Sequence, residues 1–316
     1  MPKFVHRITK YDPADRDARG SYIGTEDTVS DHGPVEAAYL AAVQAFAEDS
    51  GIARLDIRDP SATGFVHFGL EPPVEGHGLG ELFPPDLTGY HDGAEVSLAV
   101  ALQLVRVMLR DQGAWCRLEA GDTFTVHVGY DQYVYVGSNL PCEAAVARTR
   151  ELGLFPEPMT GSPYAADLDE TEVTESADEN FWARVRTELA ARGTALLLQE
   201  TFVRNANRWH RLTPENLAAV RAGLGPRALL TVWPDLNPDV DAALAALPEE
   251  GPAEFVWETQ DGTISHVTVD DSEYRELASQ VGTARAACVL PEHLDDTSSL
   301  FCAVLPDSDG VLRARW

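Results

Sequence analysis

The chain has 316 residues, enough for two domains, and its 44% hydrophobic content supplies a core of ordinary size. It carries 51 acidic and 24 basic residues, a net charge of −27. The imbalance is shared: residues 1–160 hold 24 acids and 12 bases, and residues 161–316 hold 27 and 12. Neither half therefore has the basic footprint that a general nucleic-acid binder uses against phosphate.

An acidic surface favours solubility and basic partners. Only Lys3 and Lys10 are lysines, so the other bases are arginines. Cys116, Cys142, Cys288 and Cys302 are scattered without a C-x-x-C pair, and at this size and density a disulfide framework is not expected. The beginning MPKFVHRITKYD has no apolar signal core, and no run approaches the roughly 20 apolar residues of a membrane helix. The expectation is a soluble, cytoplasmic protein with no membrane association.

KFVHRITKY alternates like a strand, and a polar loop over 11–33 follows. PVEAAYLAAVQAFAED reads as a helix, with Pro34 in its first turn and Gly51 closing it. ARLDIRD and GFVHFGL read as strands, and 71–93 as a second long loop rich in Gly and Pro. AEVSLAVALQLVRVMLRD is the most apolar helix. AWCRLEA, FTVHVGY and QYVYVG are strands, the last two joined by a turn near Asp131, and PCEAAVARTREL is a helix closed by Gly153.

Residues 161–178 read as an acidic linker between a domain over 1–160 and one over 179–316. Ser176 with Glu179 has the spacing of a capping box for NFWARVRTELAAR. TALLLQETFV and RALLTVW are strands. PENLAAVRA, PDVDAALAAL and SEYRELASQ are helices, with Asn237 placed to start the second of them. AEFVWETQDGTISHVTV is a hairpin around Asp261–Gly262. AACVL, LFCAVL and GVLRARW read as three closing strands. Helices and strands alternate, but hairpins followed by helices recur. The expected class is α+β: two domains of mixed helices and strands with mixed or largely antiparallel sheets.

Tyr133–Pro141, YVYVGSNLP, is spelled like one RNA-contacting strand of an RNA recognition motif. The second aromatic strand that motif requires is absent downstream, where the acidic run lies. Asp15, Asp17 and Glu26 fall at positions 1, 3 and 12 of a calcium-loop spacing, but Arg19 occupies a ligand position and the preceding segment is not helical. His77, His91 and Asp92 share the second loop and are candidate metal or catalytic residues, without the ligand spacing of a zinc motif.

VRNANRWHRL is the one cationic stretch. Arg204, Arg208, Trp209, His210 and Arg211 are candidates for binding an anion or a nucleic acid, unless the chain's own carboxylates pair with them. No motif calls for a cofactor or names an enzyme. The leading expectation is an acidic protein that binds a basic macromolecule, as an inhibitor or immunity-type protein does. RNA or nucleotide binding at Arg204–Arg211 is the first alternative. An enzyme, metal-dependent or not, with its site in the long N-terminal loops is the second.

Overall fold

A computed structural model describes residues 2–24, 32–62, 78–129, 133–163, 175–291, 299–314 and 316. Among these residues the fold is α+β, with seven α-helices and fourteen antiparallel strands in three sheets. Among the described residues no helix is long and apolar enough to cross a membrane. The chain divides into two compact units. The first holds the chain to residue 171 and the turn Val203–Ala206, and the second holds most of the remainder.

The first unit is built on a seven-stranded sheet. Its strands are β1 (Phe4–Thr9), β2 (Arg54–Ala62), β3 (Glu95–Ser97), β4 (Ala114–Ala120), β5 (Phe124–Val128), β6 (Val134–Ser138) and β7 (Phe155–Met159), in the order β3-β2-β4-β5-β6-β1-β7. Period-two alternation sends Leu55, Ile57, Cys116, Leu118, Phe124, Val126, Val134 and Val136 to one buried face. Three helices bury apolar residues with it: α1 (Pro34–Asp49), α2 (Leu98–Leu109) and α3 (Glu143–Glu151). Ser97 caps α2, its hydroxyl accepting from Val100 N–H, so the chain to its left is the short strand β3 and not helix. The first turn of α3 is capped from α1, through Asp49 Oδ2 and Ala145 N–H at 2.8 Å.

The segment FPEPM forms β7 despite its two prolines, because β7 is an edge strand. On β6, Gly137 lies so close to Thr125 and Pro2 that a Cβ would meet them at 2.5 and 2.9 Å. The expected strand GFVHFGL and the turn near Asp131 lie outside the described residues.

The second unit has two sheets. Strands β8 (Leu196–Val203), β9 (Ala206–Leu212), β10 (Leu229–Pro234) and β14 (Phe301–Val304) run in the order β14-β10-β8-β9. Strands β11 (Ala253–Glu258), β12 (Ile264–Val269) and β13 (Ala286–Pro291) form the other sheet, with β11 central. Leu197, Trp209, Leu236, Val256 and Ala286 make a core shared by the two sheets. The opposite face of β11 packs on α6 (Val240–Ala245) and α7 (Tyr274–Val281) through Phe255, Leu277 and Val281. Helix α4 (Glu179–Arg192) buries Phe181, Trp182, Val185 and Leu189, and Phe181 meets Phe301 of β14 edge to face. Helix α5 (Leu217–Gly223) is short.

Two helix starts differ from the sequence pattern. Asp178, not Ser176, caps α4, accepting from the N–H groups of Asn180 and Phe181, while Ser176 bridges Val304. Asp239, not Asn237, caps α6, because Asn237 exchanges two backbone bonds with Ala287. Gly262 takes φ 87° at the hairpin tip, as its Asp-Gly spelling requires. GVLRARW is not a strand over its described residues: Arg313 is drawn onto Asp307 and Asp309, and the Trp316 indole donates to the Arg227 carbonyl.

Candidate functional site

The cationic stretch lies on a strand and its turn, and this geometry divides it. Arg204 sits in the Val203–Ala206 turn that groups with the first unit, where its N–H donates to Pro60 O and its carbonyl accepts from Ala62 N–H. The other four residues alternate along β9. Arg208 and His210 both turn to Glu200 of β8. His210 Nε2 is 2.8 Å from Glu200 Oε2 and Arg208 Nη1 is 3.6 Å from Oε1, which also accepts from Gly225 N–H at 2.6 Å. The Glu200 side chain is 1% exposed. The Arg208 guanidinium lies 3.8 Å over the Phe202 ring.

Trp209 and Arg211 meet a different set of partners. Trp209 is buried, and its Nε1–H donates to Glu254 Oε1 at 3.3 Å. Arg211 grips Asp235 with two hydrogen bonds of 2.7 and 2.8 Å and gives a third, of 2.7 Å, to Glu258. These bonds to Asp235 raise the Arg211 pKa. Arg208, His210 and Arg211 of β9 thus each face a carboxylate of the same chain. The opposing faces of β9 keep Arg208 and His210 apart from Trp209 and Arg211.

Of the calcium-spaced residues, Asp15 and Asp17 are described and Glu26 lies outside the described residues. The segment folds as a small hairpin. Arg16 bridges Tyr22, Asp17 N–H donates to Ser21 O, and Ile23 N–H donates to Asp15 O. Asp17 Oδ1 accepts from Arg19 and Ser21 N–H, both at 2.9 Å, so this carboxylate closes the turn in the manner of an Asx motif. His77 lies outside the described residues. His91 Nδ1 is 3.0 Å from the Asp92 carbonyl, and the Asp92 carboxylate, 3% exposed, accepts from Asp59 N–H and pairs with Arg58. Among the described residues no group of three or more His, Cys, Asp or Glu is placed to hold a metal ion.

The sheet face opposite the helices of the first unit carries a further arrangement that no local motif in the sequence marks. The register of β2 on β4 shifts between Arg58 and Ser61, and Asp59 takes φ 47° within that bulge. There its carboxylate pairs with Arg117, which also reaches Glu119 at 3.5 Å. Asp59 Oδ1 is buried with no hydrogen-bond partner among the described residues. His127 packs edge to face on Trp115, with ring centroids 5.7 Å apart. Burial, helped by the Arg117 charge, lowers its pKa to about 4, so it is neutral at pH 7.

Farther along the face, Arg7 and Arg16 both bond Glu157 at 2.9 Å, and Arg7 lies 5.4 Å over the Tyr133 ring. Tyr11 bridges Tyr22 and Tyr133, with ring distances of 4.7 and 6.2 Å. The sequence signal for this face was the alternation of Trp115, Arg117 and Glu119 on β4, three large polar or aromatic side chains opposite a buried row.

No family model matches the chain, and neither a curated protein nor a solved structure matches it. The arrangement offers hydrogen-bond acceptors, aromatic rings and compensated charges.

Proposed function

We propose that this chain is an acidic binding protein for a basic polypeptide, acting as an inhibitor or immunity-type partner does. The observation that carries the proposal is how its charge is distributed. Among the described residues, at least sixteen arginines are ion-paired with carboxylates of the same chain. Positive charge is therefore largely committed internally, and the net charge of −27 is left uncompensated by the chain's own bases.

Such a field attracts a basic protein over a distance of about a Debye length, roughly 8–10 Å in physiological salt, and speeds encounter. The same field opposes RNA and DNA, and the stretch best suited to phosphate is held by Glu200, Asp235 and Glu258. Fluorescence anisotropy with three labelled probes tests the proposal: an arginine-rich peptide, a glutamate-rich peptide of equal length and a single-stranded RNA. Binding of the arginine-rich peptide alone is expected. Preference for the RNA would overturn the proposal and favour the β9 stretch as an anion site.

A further inference from the structure

Sheet edges present rows of unpaired backbone groups, and proteins usually cover or blunt them. Among the described residues the three sheets have six edges, and five of them are managed. Strand β3 is three residues long, and Glu95 on it pairs with Arg54. Strand β7 carries Pro156 and Pro158, which have no N–H to donate. Strand β14 is met at Val304 by Glu175 and Ala177, which exchange backbone bonds of 2.9 and 2.8 Å with it. Strand β13 is met at Ala287 by two bonds of 2.9 Å with Asn237. Strand β9 carries Arg208 and Arg211, and Asn216 Nδ2 caps the Arg211 carbonyl at 2.8 Å.

The sixth edge, β12, has none of these devices among the described residues. Its sequence ISHVTV contains no proline, lysine, arginine or acid, and its six-residue register on β11 is unbroken. Thr259 N–H donates to Thr263 O at 2.9 Å. With the register of β11 on β12, that bond places Ser265, Val267 and Val269 in bonded pairs. Ile264, His266 and Thr268 then turn their N–H and C=O groups outward. Among the described residues nothing bonds those backbone groups, and His266 is exposed.

We propose that β12 is a docking edge that accepts an extended basic segment of the partner as an added strand. This rests on the function proposed above and specifies how the partner is held. Backbone bonds to Ile264, His266 and Thr268 would supply the attachment, and flanking charge would supply the selectivity. Exposed Asp261 stands at the start of β12, and exposed Asp270, Asp271 and Glu273 stand just past its end. A second copy of this chain brings the same acids and the same net charge of −27, so like charge opposes edge-to-edge pairing of two copies.

The test uses the full chain and a labelled nine-residue peptide of alternating arginine and valine. A second version of the peptide is N-methylated on alternate residues, which removes donors while keeping charge and side chains. Hydrogen exchange is followed at the His266 and Thr268 amides. The unmethylated peptide is expected to bind at least about tenfold more tightly, equivalent to roughly 1.4 kcal/mol, and to slow exchange at both amides. His266→Pro, which removes an outward donor, is expected to weaken binding to a similar degree, and the methylated peptide gives the same information if that variant does not fold. Equal affinity for both peptides with unchanged exchange would overturn strand addition while leaving the basic-partner function standing. Failure of the unmethylated peptide to bind at low salt would overturn both.

Discussion

Glu200 offers the sharpest test of the internal charge pairing. Its carboxylate is 1% exposed and serves Gly225 N–H at 2.6 Å, His210 Nε2 at 2.8 Å and Arg208 Nη1 at 3.6 Å. Glu200→Ala leaves a backbone donor unsatisfied, costing about 1–3 kcal/mol. It also breaks a buried charge arrangement, for which the observed range is about 3–5 kcal/mol. These contributions overlap, so a total loss of about 3–5 kcal/mol is expected. Glu200→Gln keeps the shape and one acceptor oxygen and should lose about half as much.

Urea denaturation followed by tryptophan fluorescence reads both losses. The same variants test function, because each frees Arg208 from a counter-charge and His210 from its hydrogen-bond partner. Affinity for single-stranded RNA should rise in Glu200→Gln relative to the parent chain, and the rise should disappear when Arg208→Ala is added. A Glu200→Ala variant within about 0.5 kcal/mol of the parent, a loss typical of an ordinary surface site, would show that Glu200 is not a buried structural counter-charge.

Three further outcomes follow from the structure. Trp182 is fully buried beneath Arg221 and against Phe181, so Trp182→Ala should lose about 3–5 kcal/mol in the same denaturation experiment. His127 has a folded pKa lowered from 6.5 to about 4, so the unfolded chain takes up a proton first on acidification. Stability from this group is then fully present above pH 6.5 and falls as pH drops toward 4, by at most about 3 kcal/mol; His127→Leu should flatten that part of the pH–stability curve. Asp17→Ala removes two bonds that close the hairpin and should lower the melting temperature, whereas Asp17→Asn, which retains an acceptor, should restore most of it.

Much of the fold was legible because periodicity carries it. The antiparallel pairing of β5 with β6 and the hairpin at 253–269 follow from strand patterning, and Gly262 from its Asp-Gly spelling. Elements shaped by tertiary position were less visible. FPEPM reads against strand formation, yet its place on a sheet edge permits two prolines. Ser176 has the spelling of a cap, but its backbone is committed to Val304, and Asp178 takes the role.

The site was harder still. RNANRWHRL looks like one basic patch in one dimension. As a strand it sends its residues to two faces, and the acids that meet them, Glu200, Asp235, Glu254 and Glu258, are up to 47 positions away. The Asp59 bulge and its partner Arg117 are 58 residues apart, with no local pattern to join them. The net charge was legible from composition alone, whereas its division into paired arginines and unmatched acids required the structure.

Capture of a basic partner by the acidic field is measured most directly by the salt dependence of affinity for the arginine-rich peptide. Between about 20 and 200 mM sodium chloride the screening length falls severalfold. Affinity is expected to decline by at least tenfold over this range, mainly through a slower association rate. An affinity that stays constant, or a dissociation rate that carries the whole change, would contradict capture by the acidic field.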